Sequence, residues 1–391
     1  MRNRGLGAAA AAALCLSACG GDDQTGGAVQ PAGTVEIAAS PATSPVTPVA
    51  ASDPATMVTP EAASVSSAAT AAVPVFSRRG INISGGEFGG GHIPGKLFTD
   101  YRYPDKAEID YYARLGFNII RVPFLWERLQ PTLYGPLSVP DQQALRDVVT
   151  YANARGMVVV LDMHNYGQRG TGANYQTFVD IGSTQVPGPA FLDGWMKIAT
   201  AYASNPDVWL GLMNEPHTMA PTIWWPVVQK LVNGMRARGI KNRLLVPGTA
   251  WTGAYSWVSS GNAAEALKFN DPLKTFDFEV HQYLDADSSG TSPVCVSAAN
   301  TRVIAAAQWA VANHKTLFMG EMGAGSYWRC ATEYPNMIKR IETTGAWTAW
   351  TAWGGGTWWN ADYPFRTLTT AFPDTSTTTP HMNYLLAFIK K

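Results

Sequence analysis

At 391 residues the chain could hold two average domains, or a single α/β barrel of about 250 residues or more. Twenty-nine basic residues balance twenty-nine acidic ones, so the net charge of zero gives no reason to expect nucleic acid or an anionic membrane surface as a partner. Fourteen Trp and fifteen Tyr suit a neutral polymer better, although packing in a core remains the simpler role for any single ring.

In residues 1–18, Arg2 and Arg4 precede an Ala/Leu-rich apolar stretch, the pattern of an export signal rather than of a membrane-spanning helix of about 20 residues. The stretch ends Leu16-Ser17-Ala18-Cys19, which resembles a bacterial lipobox with Cys19 as the lipidated residue; a small-residue cleavage site without lipid is the alternative. The expected location is therefore outside the cytoplasm, secreted or lipid-anchored on the cell envelope. Residues 19–74 are Ala, Ser, Thr and Pro-rich without one aromatic residue, and read as a low-complexity, disordered linker.

From residue 75 to 391 short apolar runs alternate with segments of helical period, the signature of βα units. Strands are predicted at 81–84, 118–122, 157–162, 208–213, 243–246, 276–280, 316–320 and 346–353. Helices are predicted at 106–115, 140–155, 190–204, 223–238, 263–269, 302–313, 334–343 and 381–390. Gly116, Gly156 and Gly239 follow three of these helices, where glycine can take the left-handed closing position. Eight strands alternating with eight helices predict an α/β fold of the (β/α)8 TIM barrel type.

Such a barrel gathers the carboxyl ends of its strands on one face, and here those ends are unusually polar. They carry Arg121, His164 after Asp162-Met163, Asn214-Glu215, His281 and Tyr283, Glu321, and finally Trp353. Burying so many polar groups separately would cost several kcal/mol each, so a shared cluster is expected. For Glu127 and Glu279 an ion pair with a nearby cation is the expected role. His92, His314 and His381 read as satisfied core or surface residues. Cys15 lies in the leader and Cys19 at its edge, leaving Cys295 and Cys330, which in an exported chain point to a disulfide over a metal site or Cys-x-x-Cys motif.

Several segments in this order carry a resemblance. They are 80–89 (GINISGGEFG), Arg121-Val122-Pro123, Asp162-Met163-His164-Asn165-Tyr166, Asn214-Glu215-Pro216-His217, His281-Gln282-Tyr283-Leu284-Asp285, Gly320-Glu321-Met322-Gly323 and Trp353. Together they resemble glycoside hydrolase family 5, and within it the cellulase-type endoglucanases (subfamily 5-like), over nearly all of 80–388. The resemblance implies a retaining endo-β-1,4-glucanase acting by double displacement, with Glu321 as nucleophile and Glu215 as proton donor and then base. Arg121 and Tyr283 would keep Glu321 ionised while burial and its partner's charge raise Glu215, giving a bell-shaped pH profile. Asn214 would bind the sugar 2-hydroxyl, His164 other hydroxyls, and His281 would position the acid.

Trp353 resembles the platform under the cleaved sugar, Trp251 is expected to form a second one, and His217 beside the acid is read as either a substrate contact or a bystander. Trp126, Trp257, Trp358 and Trp359 are weaker platform candidates. The resemblance places Cys295 and Cys330 on the loops after the sixth and seventh strands. Met322 stands where Phe or a similar residue is common, and Tyr327-Trp328 forms an aromatic pair of its own. A β-mannanase, lichenase or xyloglucanase would keep the same mechanism, whereas a non-catalytic glucan-binding lipoprotein would need a carboxylate lost. No cofactor and no metal are expected, since no Asp/His cluster has ligand spacing, and a monomer is expected.

Overall fold

The computed structural model describes residues 76–389; the export signal, Cys19 and the linker lie outside the described residues. Eight parallel strands close into a barrel in the order β1 (Arg78–Ile83), β10 (Trp347–Gly355), β9 (Leu317–Gly323), β8 (Phe276–Tyr283), β7 (Leu244–Pro247), β6 (Val208–Gly211), β3 (Val158–Met163) and β2 (Ile119–Phe124). All eight predicted strands are present. An antiparallel hairpin, β4 (Gln168–Thr171) with β5 (Thr177–Asp180), follows β3 outside the barrel.

The helices flanking the barrel are α1 (Lys106–Leu115), α3 (Val139–Asn153), α4 (Gly188–Thr200), α5 (Pro221–Ala237), α6 (Asn262–Ala266), α7 (Ile304–Ala312), α8 (Cys330–Thr343) and α9 (Pro380–Ile389), with one short turn, α2 (Trp126–Leu129), after β2. The first runs as predicted because both its ends are capped: Asp105 and Glu108 form a reciprocal capping box, and Gly116 takes φ 97° at the carboxyl end. Helix α8 starts four residues before its predicted start at 334. In that extra turn Glu333 accepts from the backbone amides of Ala298 and Asn300, which fastens α8 to the loop after β8.

Strand side chains alternate between the barrel interior and the helix-facing exterior. Toward the amino ends the interior is a small apolar plug of Ile119, Val158, Val160, Leu245, Phe318 and Ala349, with Trp209 packed against it. The outward residues and the helices form the large continuous core, which includes Trp126, Trp195, Trp224, Trp257 and Trp350. On three strands the interior position two residues further along from the plug is polar: Arg121 after Ile119, Asp162 after Val160 and Thr351 after Ala349, all buried. Asn82 and Glu279 are buried at the same level.

Candidate active site

A guanidinium buried in a barrel needs its charge and its five donors answered at once. Arg121, fully buried, donates from Nη1 to Asn82 Oδ1 at 2.9 Å and to Glu321 Oε1 at 2.9 Å, and from Nη2 to Asn214 Oδ1 at 2.8 Å. It also pairs with Asp162 Oδ1 and Glu279 Oε1, each at 3.0 Å. The expected ion pair of Glu279 is thus present. Asp162 in turn holds His164, whose Nδ1 lies 2.8 Å from Asp162 Oδ2 and whose Nε2 lies 3.2 Å from Asn214 Nδ2. Asn82 completes the tier by donating to the carbonyls of Gly320 and Ala352 at 2.9 and 3.1 Å.

Glu321 enters this tier through an irregularity in β9. The pairing of β8 with β9 shifts between Val280 and His281, so His281 sits opposite Glu321 rather than Gly320. The slip turns Glu321 inward, one residue out of phase with Phe318. Residue 320 must be glycine, because a Cβ there would meet Glu279 Oε1 at 2.2 Å and His281 Nε2 at 2.7 Å. Glu321 then receives Arg121 on one oxygen and the Tyr283 hydroxyl on the other, at 2.9 Å each.

Glu215 arrives from the end of β6 on a left-handed backbone, φ 40°, a strained conformation for a residue with a Cβ. His281 Nδ1 lies 2.7 Å from its Oε1 and 3.7 Å from Glu321 Oε2, while Nε2 lies 3.3 Å from Glu279 Oε1. One oxygen each of Glu215 and Glu321 and one nitrogen of His281 fall within 4.8 Å of one another. Those three atoms are close enough to share a cation. Both imidazole nitrogens, however, face carboxylates and are best used as proton donors, so the donor set fits an acid/base pair better than a metal centre.

The electrostatics differ in one respect from the sequence expectation. Burial lowers the His281 imidazolium, but the charge of Glu321 and the contacts with Glu215 and Glu279 outweigh it and push the group up to about 10. Glu321 was expected to be held ionised, yet burial raises its carboxyl above the ordinary range; His281 opposes this, the Glu215 charge adds to it, and Arg121 and His164 oppose it again. Burial is the largest influence, and the cations that oppose it are shared with Asp162, Glu279 and Glu215. Glu215 keeps 15 % of its side chain exposed to the cleft against 5 % for Glu321. The two carboxyls therefore stand in unequal surroundings, one fixed from both sides and one reachable from solvent.

Across this centre runs an unbroken ribbon of rings. Trp251 stacks on His217 at 3.7 Å and 4°, Tyr166 meets both edge-on at 6.0 Å, and His164 contacts Tyr166 at 5.3 Å. His164 then stacks on Trp353 at 5.6 Å, Trp353 meets Trp359 at 5.9 Å, and Trp359 stacks on Tyr363 at 3.8 Å. The ribbon starts beyond β7 and ends beyond β10, on opposite sides of the barrel. Trp251 stands 49 % exposed because Ala250, Trp251 and Thr252 are all left-handed, with φ of 54°, 59° and 46°, which throws the ring out of the loop.

The structure brings Arg121, His164, Asn214, Glu215, His217, Trp251, His281, Tyr283, Glu321 and Trp353 to one rim. Cys295 and Cys330 form a disulfide that ties the loop after β8 to the first residue of α8, where the loop after β9 ends. Trp126 and Trp257 are fully buried in the core and are not platforms. Glu127, expected to pair with a cation, instead accepts from Asn165 Nδ2 at 2.8 Å and from the Gly170 amide, bracing the β4–β5 hairpin. His92 faces Asp100 on the surface, and His381 is core, held down to about 4 by burial. Tyr327 and Trp328 are exposed, with Arg329 4.6 Å over the Trp328 ring. Asn82, Asp162, Glu279, Tyr166 and Tyr363 were given no site role from sequence. A polar residue at an interior position of an otherwise apolar strand is the signal that would have found the first three.

The profile described as Cellulase (glycosyl hydrolase family 5) matches residues 81–356. Endo-beta-1,4-glucanase A of Emericella nidulans is 34 % identical over 295 residues, covering 74 % of this chain and 86 % of that one. The crystal structure of an endo-beta-1,4-glucanase from Xanthomonas axonopodis pv. citri superposes with a TM-score of 0.74 at 38 % identity, over 81 % of this chain and 99 % of that one. The structure of XacCel5A in complex with cellopentaose superposes with a TM-score of 0.74 at 36 % identity, over the same shares.

Proposed function

The chain belongs to the cellulase family, glycosyl hydrolase family 5, and from that premise we propose that it is an endo-β-1,4-glucanase whose reaction proceeds with retention at Glu215 and Glu321. The observation that carries this reading is the gap between the two carboxyls. Their facing oxygens lie within 4.8 Å; retaining pairs stand about 5 to 5.5 Å apart, whereas inverting pairs need roughly 6.5 to 9.5 Å to admit a water. Relatives named as endo-β-1,4-glucanases, and a similar structure holding cellopentaose, support the substrate class.

In this mechanism Glu321 attacks the anomeric carbon while Glu215 protonates the departing oxygen, and Glu215 then takes a proton from the water that releases the glycosyl unit. Arg121 and Tyr283 fix both oxygens of Glu321 in the attacking orientation. His281 bridges the two carboxyls, with Nδ1 2.7 Å from Glu215 Oε1 and 3.7 Å from Glu321 Oε2, and so holds the acid in line with the nucleophile. Asn214, aligned by Arg121, and His164, aligned by Asp162, present polar atoms to hydroxyls of the ring lying on Trp353. A ribbon reaching from Trp251 beyond β7 to Tyr363 beyond β10 offers rings on both sides of the carboxyl pair, which suits internal cleavage. Glu321→Gln and Glu215→Gln should each remove most hydrolysis of carboxymethyl cellulose with folding retained. Inverted product on NMR of a polysaccharide digest, or near-full activity in either variant, would end the assignment.

Residues 1–18 and Cys19 further support an exported protein, lipid-anchored through Cys19 and tethered by residues 19–74 to a catalytic domain at 75–391. Among the described residues no helix is long and apolar enough to cross a membrane.

A further inference from the structure

The loop that follows β7 is built against the usual preferences of its residues. Ala250, Trp251 and Thr252 are successively left-handed, none of them glycine, and so is Glu215 across the rim. A Cβ disfavours that conformation, which persists where surrounding contacts fix it. Those contacts run two ways. Toward Glu215, the Trp251 amide donates to the Pro216 carbonyl at 3.2 Å, and the Trp251 ring lies flat on His217. Toward β8, the Thr252 hydroxyl donates to the Glu279 carbonyl at 2.6 Å, the Ala254 amide donates to the His281 carbonyl at 2.9 Å, and Gly253 bridges His281.

The loop is thus fastened at once to the segment of Glu215 and to the backbone of His281, two residues whose side chains meet at 2.7 Å. His217 completes the fastening. Its Nδ1 lies 3.2 Å from the carbonyl oxygen of Glu215; a carbonyl can only accept, so this contact puts a proton on Nδ1. Two successive carbonyls of the strained turn, those of Glu215 and Pro216, are each met by a donor, one from the His217 ring and one from the Trp251 amide. The donating ring is itself fixed, since Trp251 stacks on it at 3.7 Å and 4° and Tyr166 meets it edge-on at 6.0 Å.

We propose that His217 is a positioning residue for the acid/base: through its Nδ1 and its stack on Trp251 it fixes the left-handed turn at Glu215, and with it the direction in which that carboxyl delivers its proton. This rests on the reading of Glu215 as the acid. A carboxyl only two methylenes from its backbone is aimed by that backbone, so a turn that relaxes carries the group away from His281 and from the departing oxygen. A misplacement of about 1 Å costs on the order of a hundredfold in rate. Glu321 is held through other elements, by Arg121 on β2 and Tyr283 on β8, so the loss should fall on proton delivery and spare nucleophilic attack.

The test uses phenyl, nitrophenyl and dinitrophenyl β-cellobiosides, which place nearly the same ring beyond the cleaved bond while the departing oxygen becomes steadily less basic. Dinitrophenolate leaves without a proton, whereas phenolate needs one. His217→Phe keeps a ring for Trp251 and removes the donor. In it, kcat/KM should fall about 10- to 100-fold for the phenyl substrate and stay within about twofold for the dinitrophenyl one. His217→Asn, whose amide can donate in place of Nδ1, should recover most of that loss. Trp251→Ala, which leaves the His217 ring unbacked, should steepen the dependence on the leaving group in the same direction. An equal fall across the series, as from a lost sugar contact or a disturbed fold, would overturn the proposal, as would no fall at all or an Asn variant as impaired as the Phe one. Glu215→Gln in the same series separates the two readings. A flat response there overturns the assignment of the acid, and the proposal with it; a steep one beside a flat His217→Phe series overturns the positioning role alone.

Discussion

Replacing Glu321 by Gln should neutralise the strongest support of the His281 imidazolium. That group is pushed up to about 10 from an ordinary 6.5, a preference for the charged form of about 5 kcal/mol. Glu321 Oε2 lies 3.7 Å from its Nδ1, which at an effective dielectric of about 20 corresponds to about 4 kcal/mol, or roughly three powers of ten in proton affinity. The His281 midpoint should therefore fall to about 7 in Glu321→Gln, with Glu215 and Glu279 accounting for what remains. Ring-proton NMR of the histidines across pH 5 to 11, with His281→Asn to assign the resonance, measures it. The sign carries through to stability: a folded-state value above the unfolded one contributes fully below about 6.5 and is lost as pH rises through about 10. The mutant should lose less stability than the wild type between those limits. A wild-type midpoint near 6.5, or one that does not move in the mutant, refutes the account of the cluster as imidazolium-centred.

Tyr283→Phe removes the hydroxyl bonded to Glu321 Oε2. Glu321 should become harder to ionise, so kcat/KM should fall about 10- to 100-fold and its acidic limb should move to higher pH; an unmoved limb would mean that the hydroxyl does not bear on that ionisation. Cys330→Ser opens a bridge between residues 35 apart in sequence, and denaturant titration should show a loss of about 3 to 4 kcal/mol. A midpoint within error of the wild type would show that the loop after β8 and the start of α8 need no tie.

The strands of this barrel were legible because each is a short apolar run between helical segments, and the site because a parallel barrel brings strand ends together. Glu215 and Glu321 could thus be paired from positions about a hundred residues apart. The β4–β5 hairpin was not legible: Gln168–Thr171 and Thr177–Asp180 are short and largely polar, and the order comes from Glu127 and Asn165 reaching across from other segments. The direction of the Glu321 shift also escaped the sequence. Naming Arg121 and Tyr283 as its neighbours was possible from motifs, but the burial that raises its carboxyl depends on the irregularity of β9 that turns Glu321 into the barrel.

The Arg121 guanidinium has a consequence for how this scaffold can change. It sits on β2 and its partners come from β1, β3, the end of β6, β8 and β9. It is a keystone, locking the staves of the cask with the same contacts that aim the nucleophile. Remodelling of specificity must leave it alone and act on interchangeable parts around the mouth, such as the hairpin at 168–180 and the aromatic spur at 327–328.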